Sequence, residues 1–346
     1  MRKTIHIIIV NYGNWKDTIE CIESILSNRF TDYQLIIVDN FSPNDSEKKI
    51  KEFLEGTLEP TIEYSYFTTR LKERKRRLPY IFYQIENGTF KNDVKKNELG
   101  NPKIALHQLR KPILFIQTGE NLGFAGGNNV ALQLLLSSKP ELDDPEKILL
   151  LNPDTFILEN TLIEFDKIEC DFFVGSGIIK NYNNPLEQGN VGGMSLKKLF
   201  GIPKPIQDID NVGKIEYLYG GALLTNLFTV RKIGLLPKEY FLYWEETDWC
   251  HRAKVAGAKF IICPDAIIFD KVGTSIGRGY LAHYYFIRNG LIFYNKYYRH
   301  LLPSHFFYNV IRCLNKLRKG EFRNAKAIFD GTKDFLKGKE GHKVIG

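Results

Sequence analysis

Long apolar runs are missing from these 346 residues. None approaches the ~20 residues needed to cross a bilayer, so a membrane-spanning enzyme is not expected. The opening stretch MRKTIHIIIVNYG has an apolar centre, residues 7–10, too short for a signal-peptide core. Asn11 and Tyr12 stand where small residues would mark a cleavage site, so it reads as a buried first strand. Cysteine is sparse: five residues with no C-x-x-C pair argue against a disulfide framework and against a cysteine zinc site. The expected location is therefore cytoplasmic. There is no internal repeat and no low-complexity linker. A hydrophobic share of 43% and a charged share of 25% exclude a largely disordered, collagen-like or coiled-coil chain.

Unbalanced charge is also missing from most of the chain. The 48 basic and 40 acidic residues give +8, but residues 296–346 alone hold 12 Lys/Arg against 4 Asp/Glu. Residues 1–295 are therefore neutral, and a generally basic nucleic-acid binder loses its support. Two readings of the basic tail stay open. It is an amphipathic attachment to an anionic membrane surface, or a solvated helical face.

The pattern along the chain alternates strand and helix. Residues 4–10 read as a strand and 16–26 as a helix, with Ile19, Ile22, Ile25 and Leu26 at helical spacing. Residues 34–38 read as a strand buried on both faces, and Asp45 or Ser46 caps a helix running to Leu54. This order predicts an α/β fold with a mostly parallel central sheet flanked by helices. Regularity fails between about 57 and 111, which reads as an insertion after the second strand containing one strand at 80–85. It returns with a strand at 112–117, a glycine turn and helix at 121–136, and a strand at 148–151. Residues 172–177 and the glycine-rich 219–224 come later, and 260–262 and 266–269 follow as short strands. Residues 284–337 read as aromatic, basic helices, giving a core of 1–295 and a helical basic extension of 296–346.

Acidic residues stand where strands end or helices begin: Asp39, Asp154, and the cluster Glu245, Glu246 and Asp248. Open α/β sheets bind ligands outside the carboxyl ends of their strands, so these are candidates by position. Each also has a plainer reading, Asp154 as a turn residue and the cluster as a favourable charge at a helix N-terminus. The glycines 119, 123, 126 and 127 match neither the dinucleotide fingerprint nor the P-loop. A glycine turn opening a helix can nevertheless approach a nucleotide closely. His251, His283 and His300 have no partner at metal-ligand spacing and read as packing or surface residues.

Taken in order, I-I-I-V-N-Y-G-N-W-K-D-T, L-I-I-V-D-N-F-S-P-N-D-S, G-E-N-L-G-F-A-G-G-N-N, I-L-L-L-N-P-D-T, Y-G-G-A-L-L and F-L-Y-W-E-E-T-D-W-C-H-R-A-K resemble the family 2 glycosyltransferases of GT-A fold. Within that family they look most like the bacterial rhamnosyltransferase-like branch. The resemblance covers residues 4–56 and 112–295. It implies that Val10, Asn11, Tyr12 and Asp39 hold a pyrimidine base, and that Gly123, Gly126 and Asn128 line the nucleotide pocket. Asn152-Pro153-Asp154 stands where relatives carry D-x-D. Asp154 would then bind Mg²⁺ or Mn²⁺, with Asp270 in a position where relatives often have His. Glu246 matches the usual catalytic Asp, with Glu245 able to share that role, Asp248 orienting the acceptor and Arg288 facing the diphosphate.

The implied activity is a metal-dependent inverting transfer of sugar from a dTDP- or UDP-sugar to a hydroxyl of a surface-glycan or lipid-linked acceptor. It would take place in the cytoplasm or peripherally on the inner face of the plasma membrane. The alternative is an inactive nucleotide-sugar-binding scaffold in a glycan-assembly complex.

Overall fold

The computed structural model describes residues 4–60, 67, 76–86, 89–92, 111–138, 146–271 and 279–343. Its first half is built from strands whose side chains are apolar on both faces. These are β1 (Ile5–Asn11), β2 (Tyr33–Asp39), β5 (Ile113–Gln117) and β6 (Lys147–Leu151), mutually parallel in the order β5-β2-β1-β6. Such near-continuous Ile/Leu/Val runs suit strands covered by helices on both sides. Helices α1 (Trp15–Leu26), α2 (Ser46–Leu54) and α3 (Gly123–Ser138) cover them.

The full sheet has ten strands, in the order β4-β3-β5-β2-β1-β6-β12-β8-β13-β7. From the region expected as an insertion, β3 (Tyr80–Glu86) pairs parallel with β5, and β4 (Thr89–Asn92) pairs antiparallel with β3. These parts widen the main sheet instead of forming a body of their own. The charged run 68–79 falls mostly outside the described residues, as do 93–110. On the other flank stand β7 (Thr155–Ile157), β8 (Phe173–Asn181), β12 (Ala222–Asn226) and β13 (Lys259–Asp270).

The two short strands expected at 260–262 and 266–269 are one twelve-residue strand, β13, with a register shift between Cys263 and Ile267. Pro264 lies in that bulge, where its missing N–H breaks no ladder bond. A second, three-stranded sheet was not foreseen. It contains β9 (Gly193–Lys197), β10 (Ile202–Pro205) and β11 (Tyr217–Leu218).

Two short helices, α4 (Thr161–Asp166) and α5 (Leu227–Ile233), lead to α6 (Glu245–Val255) and the C-terminal helices α7 (Tyr280–Tyr297), α8 (Leu302–Arg318) and α9 (Phe322–Leu336). The expected boundary at 295/296 falls inside α7. The basic extension folds back on that helix: Tyr284 donates to Asp334 at 2.9 Å, and Ile287 and Leu291 pack on Ile328. Among the described residues no helix is long and apolar enough to cross a membrane.

Candidate active site

Every acidic residue singled out above except Asp248 lies near one edge of the sheet, where β1, β2, β6 and β13 end. Strands β1 and β2 run in register to Asn11 opposite Asp39. Asp39 is fully buried and fully engaged. One carboxylate oxygen accepts from Asn11 Nδ2 at 2.7 Å and Ser42 Oγ at 2.6 Å, the other from Ser42 N and Gln117 Nε2, both at 3.2 Å. Burial raises its pKa, against the lowering by the Ser42 and Asn11 hydrogen bonds. Asn11 is fixed in turn by Thr18 Oγ1 at 2.9 Å. Two aromatic rings stand exposed beside this carboxylate, Tyr12 at 48% and Phe41 at 53%. Phe41 has φ 58°, a left-handed conformation uncommon for a bulky side chain.

Asn40 ties this corner to the glycine turn, donating to Gly123 O at 3.0 Å and to Asn121 Oδ1 at 3.1 Å. Gly123 is required by geometry: φ is +71°, and a β-carbon there would lie 2.2 Å from the Phe241 carbonyl oxygen. The other glycines serve packing. A β-carbon on Gly127 would meet Val10, which explains where Val10 points, and one on Gly126 would meet Leu122, both at 2.6 Å. Asn128 is buried and donates back to Phe124 O at 2.9 Å, so its amide is used inside α3. Asn152 is positioned through its backbone, donating to Gly221 O at 2.8 Å.

The remaining carboxylates converge on two tyrosines. Tyr219 donates to Asp270 Oδ2 at 2.8 Å. Burial raises its pKa first, and the negative charges of Asp270, Asp154 and Glu246 raise it further, which places all three around one phenol. Tyr243 is raised by burial and then by Glu245, Glu246 and Asp154. Asp154 follows β6, Asp270 ends β13, and the Lys271 N–H donates to Asp154 O at 3.1 Å, locking the two loops together.

Glu245 and Glu246 start α6 and differ sharply. Glu245 is buried, with Oε2 lacking a hydrogen-bond partner among the described residues, and burial plus the neighbouring Glu246 pushes its pKa well up. Glu246 is partly exposed. Burial raises it to about 7, against hydrogen bonds from the backbone N–H groups of Glu246, Thr247 and Trp244. A carboxylate poised near neutrality can hold or release a proton at working pH.

Two candidates are turned away from the site. Asp248 is fully buried and accepts from Tyr240 Oη, Arg252 Nε and Lys296 Nζ, all at 2.9 Å, so it is not available to an acceptor. Arg288 is likewise buried. It donates to Asn289 Oδ1 at 2.9 Å, Gly341 O at 2.8 Å and Tyr240 O at 3.1 Å, and it faces the C-terminal strap, not open solvent.

Sequence reasoning missed what that neighbourhood does. Phe241, Tyr243 and Trp244 all have φ between 63° and 78°. Left-handed backbone at bulky residues costs on the order of 1–3 kcal/mol each and persists only where the surroundings impose it. Asn289 supplies that restraint, its Nδ2 donating to the carbonyls of Tyr240, Leu242 and Tyr243 at 2.6–3.0 Å. A second missed group is Lys271, buried against Asp17 and Glu20 at 2.5 and 2.6 Å. An R-N-G triplet inside an aromatic helix was the only sequence signal for the first, and none marked the second.

The Asp154 and Asp270 carboxylates, on loops tied by the Lys271 N–H, are hard oxygen donors of the kind a divalent cation takes. Among the described residues no group of three or more His, Cys, Asp or Glu side chains is placed to hold a metal ion.

Residues 6–76 match the family model of Glycosyl transferase family 2. A low-salt glycan biosynthesis hexosyltransferase of Haloferax volcanii, Agl10, is 25% identical over 146 residues, 41% of this chain and 46% of that protein. The chain thus matches about half the length of this curated relative. Among solved structures, the mannosyltransferase PcManGT from Pyrobaculum calidifontis, in complex with GDP-Man and Mn²⁺, superposes with a TM-score of 0.53 at 11% identity. The superposition covers 98% of this chain and 89% of that one. GalNAc-T7 with UDP, GalNAc and Mn²⁺ gives 0.50 at 10% identity, over 83% of this chain and 47% of that one. The fold is GT-A, with a helical C-terminal region.

Proposed function

We propose that this protein is an inverting, divalent-metal-dependent glycosyltransferase acting on a nucleoside-diphosphate sugar. The observation that carries the reading is the gathering of Asp154, Asp270 and Glu246 around Tyr219, beside the strand ends that bear Asn11 and Asp39. The family match over residues 6–76 supports it, as do the two structural neighbours, one in complex with GDP-Man and Mn²⁺ and the other with UDP, GalNAc and Mn²⁺.

In this reading the base lies between Tyr12 and Phe41, with its imide N–H on Asp39. That carboxylate already accepts four hydrogen bonds, so a pyrimidine N–H would displace one of the two 3.2 Å partners. Uracil and thymine both present that N–H, so the donor is read as a dTDP- or UDP-sugar. Asp154 and Asp270 would hold Mg²⁺ or Mn²⁺, which when bound neutralises the diphosphate as it departs. Glu246 accepts the proton of the acceptor hydroxyl as its oxygen attacks the anomeric carbon. The bond from that carbon to the diphosphate breaks on the opposite face, giving inversion. Glu245, buried beside it, has its pKa pushed up by burial and by the Glu246 charge, which disfavours a second negative charge there.

The acceptor is read as a lipid-linked or surface glycan, met at the inner face of a membrane. Support comes from α8, where Phe307, Val310, Ile311, Leu314 and Leu317 are exposed at helical spacing in the basic C-terminal segment. The inactive-scaffold alternative is disfavoured by a Glu246 whose pKa suits a general base.

A panel of nucleotide sugars incubated with Mn²⁺ or Mg²⁺ tests the proposal. One donor should be hydrolysed slowly without acceptor, and chelator or Asp154→Asn should abolish the hydrolysis. Full turnover in chelator overturns the metal assignment, and hydrolysis of no donor in the panel overturns the enzyme.

A further inference from the structure

A cavity of about 530 Å³ opens between α7, α8 and α9, walled by Tyr243, Phe286, Ile287 and Ile328, with Arg312 and Lys316 also in its lining. Nothing in the reaction described above uses it, yet Tyr243 belongs to both places. One side of that ring lines the cavity, and its hydroxyl feels Glu245, Glu246 and Asp154. The cavity is therefore a side room of the catalytic loop.

Its cations are placed unusually. Lys316 is paired with Glu321 at 2.6 Å. The partly buried Arg312 guanidinium stacks over Phe286 and Tyr308 at 5.2 and 4.5 Å, and no carboxylate among the described residues pairs with it. Its polar partners are neutral: the Tyr308 side chain, and Asn309 Oδ1 as a weak acceptor at 3.5 Å. His283, also in the lining, is held below its ordinary pKa by burial and by the nearby Lys316 and Arg312, with Glu321 opposing. An apolar room with a guanidinium that only neutral groups engage, and no carboxylate among the described residues paired with it, complements a ligand that is greasy along its length and anionic at one point. Ile311 and Leu314, either side of the cavity residue Arg312, belong to the exposed apolar stripe of α8, so the room lies beside the surface read as membrane-facing.

We infer that this cavity seats the acceptor's carrier: a phosphate-linked lipid whose first chain segment fills the apolar room, whose phosphate meets Arg312, and whose sugar hydroxyl reaches Glu246 past Tyr243. The inference rests on the glycosyltransferase reading and names the acceptor class for it. It also gives the C-terminal helices, which lie beyond the residues matched to the family, a part in selecting substrate.

Farnesyl phosphate is the probe, titrated calorimetrically into the full chain below its micelle concentration. Farnesol (chain without phosphate) and inorganic phosphate (charge without chain) are run alongside. Farnesyl phosphate should bind with 1:1 stoichiometry and at least about tenfold more tightly than either part. Arg312→Gln should weaken it by at least about tenfold, the loss expected when a charge-assisted hydrogen bond to phosphate is removed. Asn315→Trp, on the exposed side of the cavity mouth, should block it sterically. That second variant keeps the test decisive if Arg312→Gln unfolds, and thermal melts establish which variants are folded.

Equal binding of farnesol and farnesyl phosphate, or binding indifferent to both substitutions, overturns the inference, as does no binding of farnesyl phosphate at all. Binding of the nucleotide-sugar donor with Mn²⁺ is measured on the same wild-type sample. Donor binding without lipid-phosphate binding removes only this inference, whereas loss of both removes the glycosyltransferase reading beneath it.

Discussion

Two carboxylates in one site are treated in opposite ways. Asp39, on the side formed by β1 and β2, accepts four hydrogen bonds and sits on strands whose register is fixed along their whole length. Glu245, at the start of α6, is equally hidden yet has an oxygen with no partner among the described residues, and it follows directly on the left-handed Tyr243 and Trp244. The side proposed for the donor is fully hydrogen-bonded before any ligand arrives. The loop at the other side stores strain and unmet hydrogen-bonding capacity, held in place from behind by Asn289. Recognition of a constant group can be built into a sheet, whereas chemistry on a changing group is placed on a loop under restraint.

The largest effect expected from this contrast is at Glu246. Glu246→Gln keeps the shape and removes the basic oxygen, so transfer should fall at least ~10²-fold while donor affinity is nearly unchanged, the pattern of a lost transition-state interaction. The base works deprotonated. With its pKa near 7, transfer by the wild type should therefore fall as pH drops through about 7, and the residual rate of the variant should lose that limb. Near-normal transfer by Glu246→Gln, with loss in Glu245→Gln, would move the base one residue back.

The satisfied side is probed next, with Asp39→Ala. Removing a buried carboxylate that is bonded to Asn11, Ser42 and Gln117 should weaken donor binding by roughly 1.5–3 kcal/mol and leave the metal dependence intact. Unchanged affinity in a folded variant takes Asp39 out of the site. The strained side is probed by Asn289→Ala, which removes the amide donor from the Leu242 and Tyr243 carbonyls and leaves Tyr240 O with Arg288 alone. Stability should drop by about 1–3 kcal/mol in denaturant titrations. If the amide also aims the catalytic loop, kcat should fall more than donor affinity does. A loss confined to stability would make Asn289 a purely structural support.

How much of this was legible in the sequence follows the same contrast. Runs such as Ile5–Asn11 and Tyr33–Asp39 state their strand character in every residue, and the acidic residues at their ends and at the end of β6 could be marked by position alone. The glycine turn announced α3 to within two residues. Strained and networked features were silent. Nothing in F-L-Y-W marks left-handed backbone, because aromatic residues have no preference for it and adopt it only under tertiary restraint. Asp248 and Arg288 carry the residue types of a site, but their partners at Tyr240, Lys296 and Gly341 are set by the packing of α7 against the loop, which no local pattern encodes. The spans 260–262 and 266–269 read as two strands because a bulge and a break look alike in one dimension.

The smallest effects belong to the surface of α8, and the fold dictates how to look for them. Cutting the chain near Ser304 would strip α8 and α9 from α7 and bare Tyr284, Ile287 and Leu291, so a truncation would report unfolding as readily as detachment. Point changes on the outward stripe avoid this. Phe307 and Leu314 are exposed at 65% and 59%, one face of α8 and two turns apart, while Arg318 and Lys319 lie at its end. If the stripe lies in the headgroup region, each ring or isobutyl group contributes through partial burial, and each nearby cation adds about 1 kcal/mol on an anionic surface. Phe307→Ser with Leu314→Ser should lower binding to phosphatidylglycerol vesicles at any salt concentration. Arg318→Gln with Lys319→Gln should lower it only at low salt, because exposed charges are screened beyond about 10 Å at 0.1 M. Both pairs should spare hydrolysis of the soluble donor. Vesicle binding that ignores the serine pair but follows the glutamine pair would make the attachment electrostatic alone, and binding that ignores both would leave α8 a solvated helix.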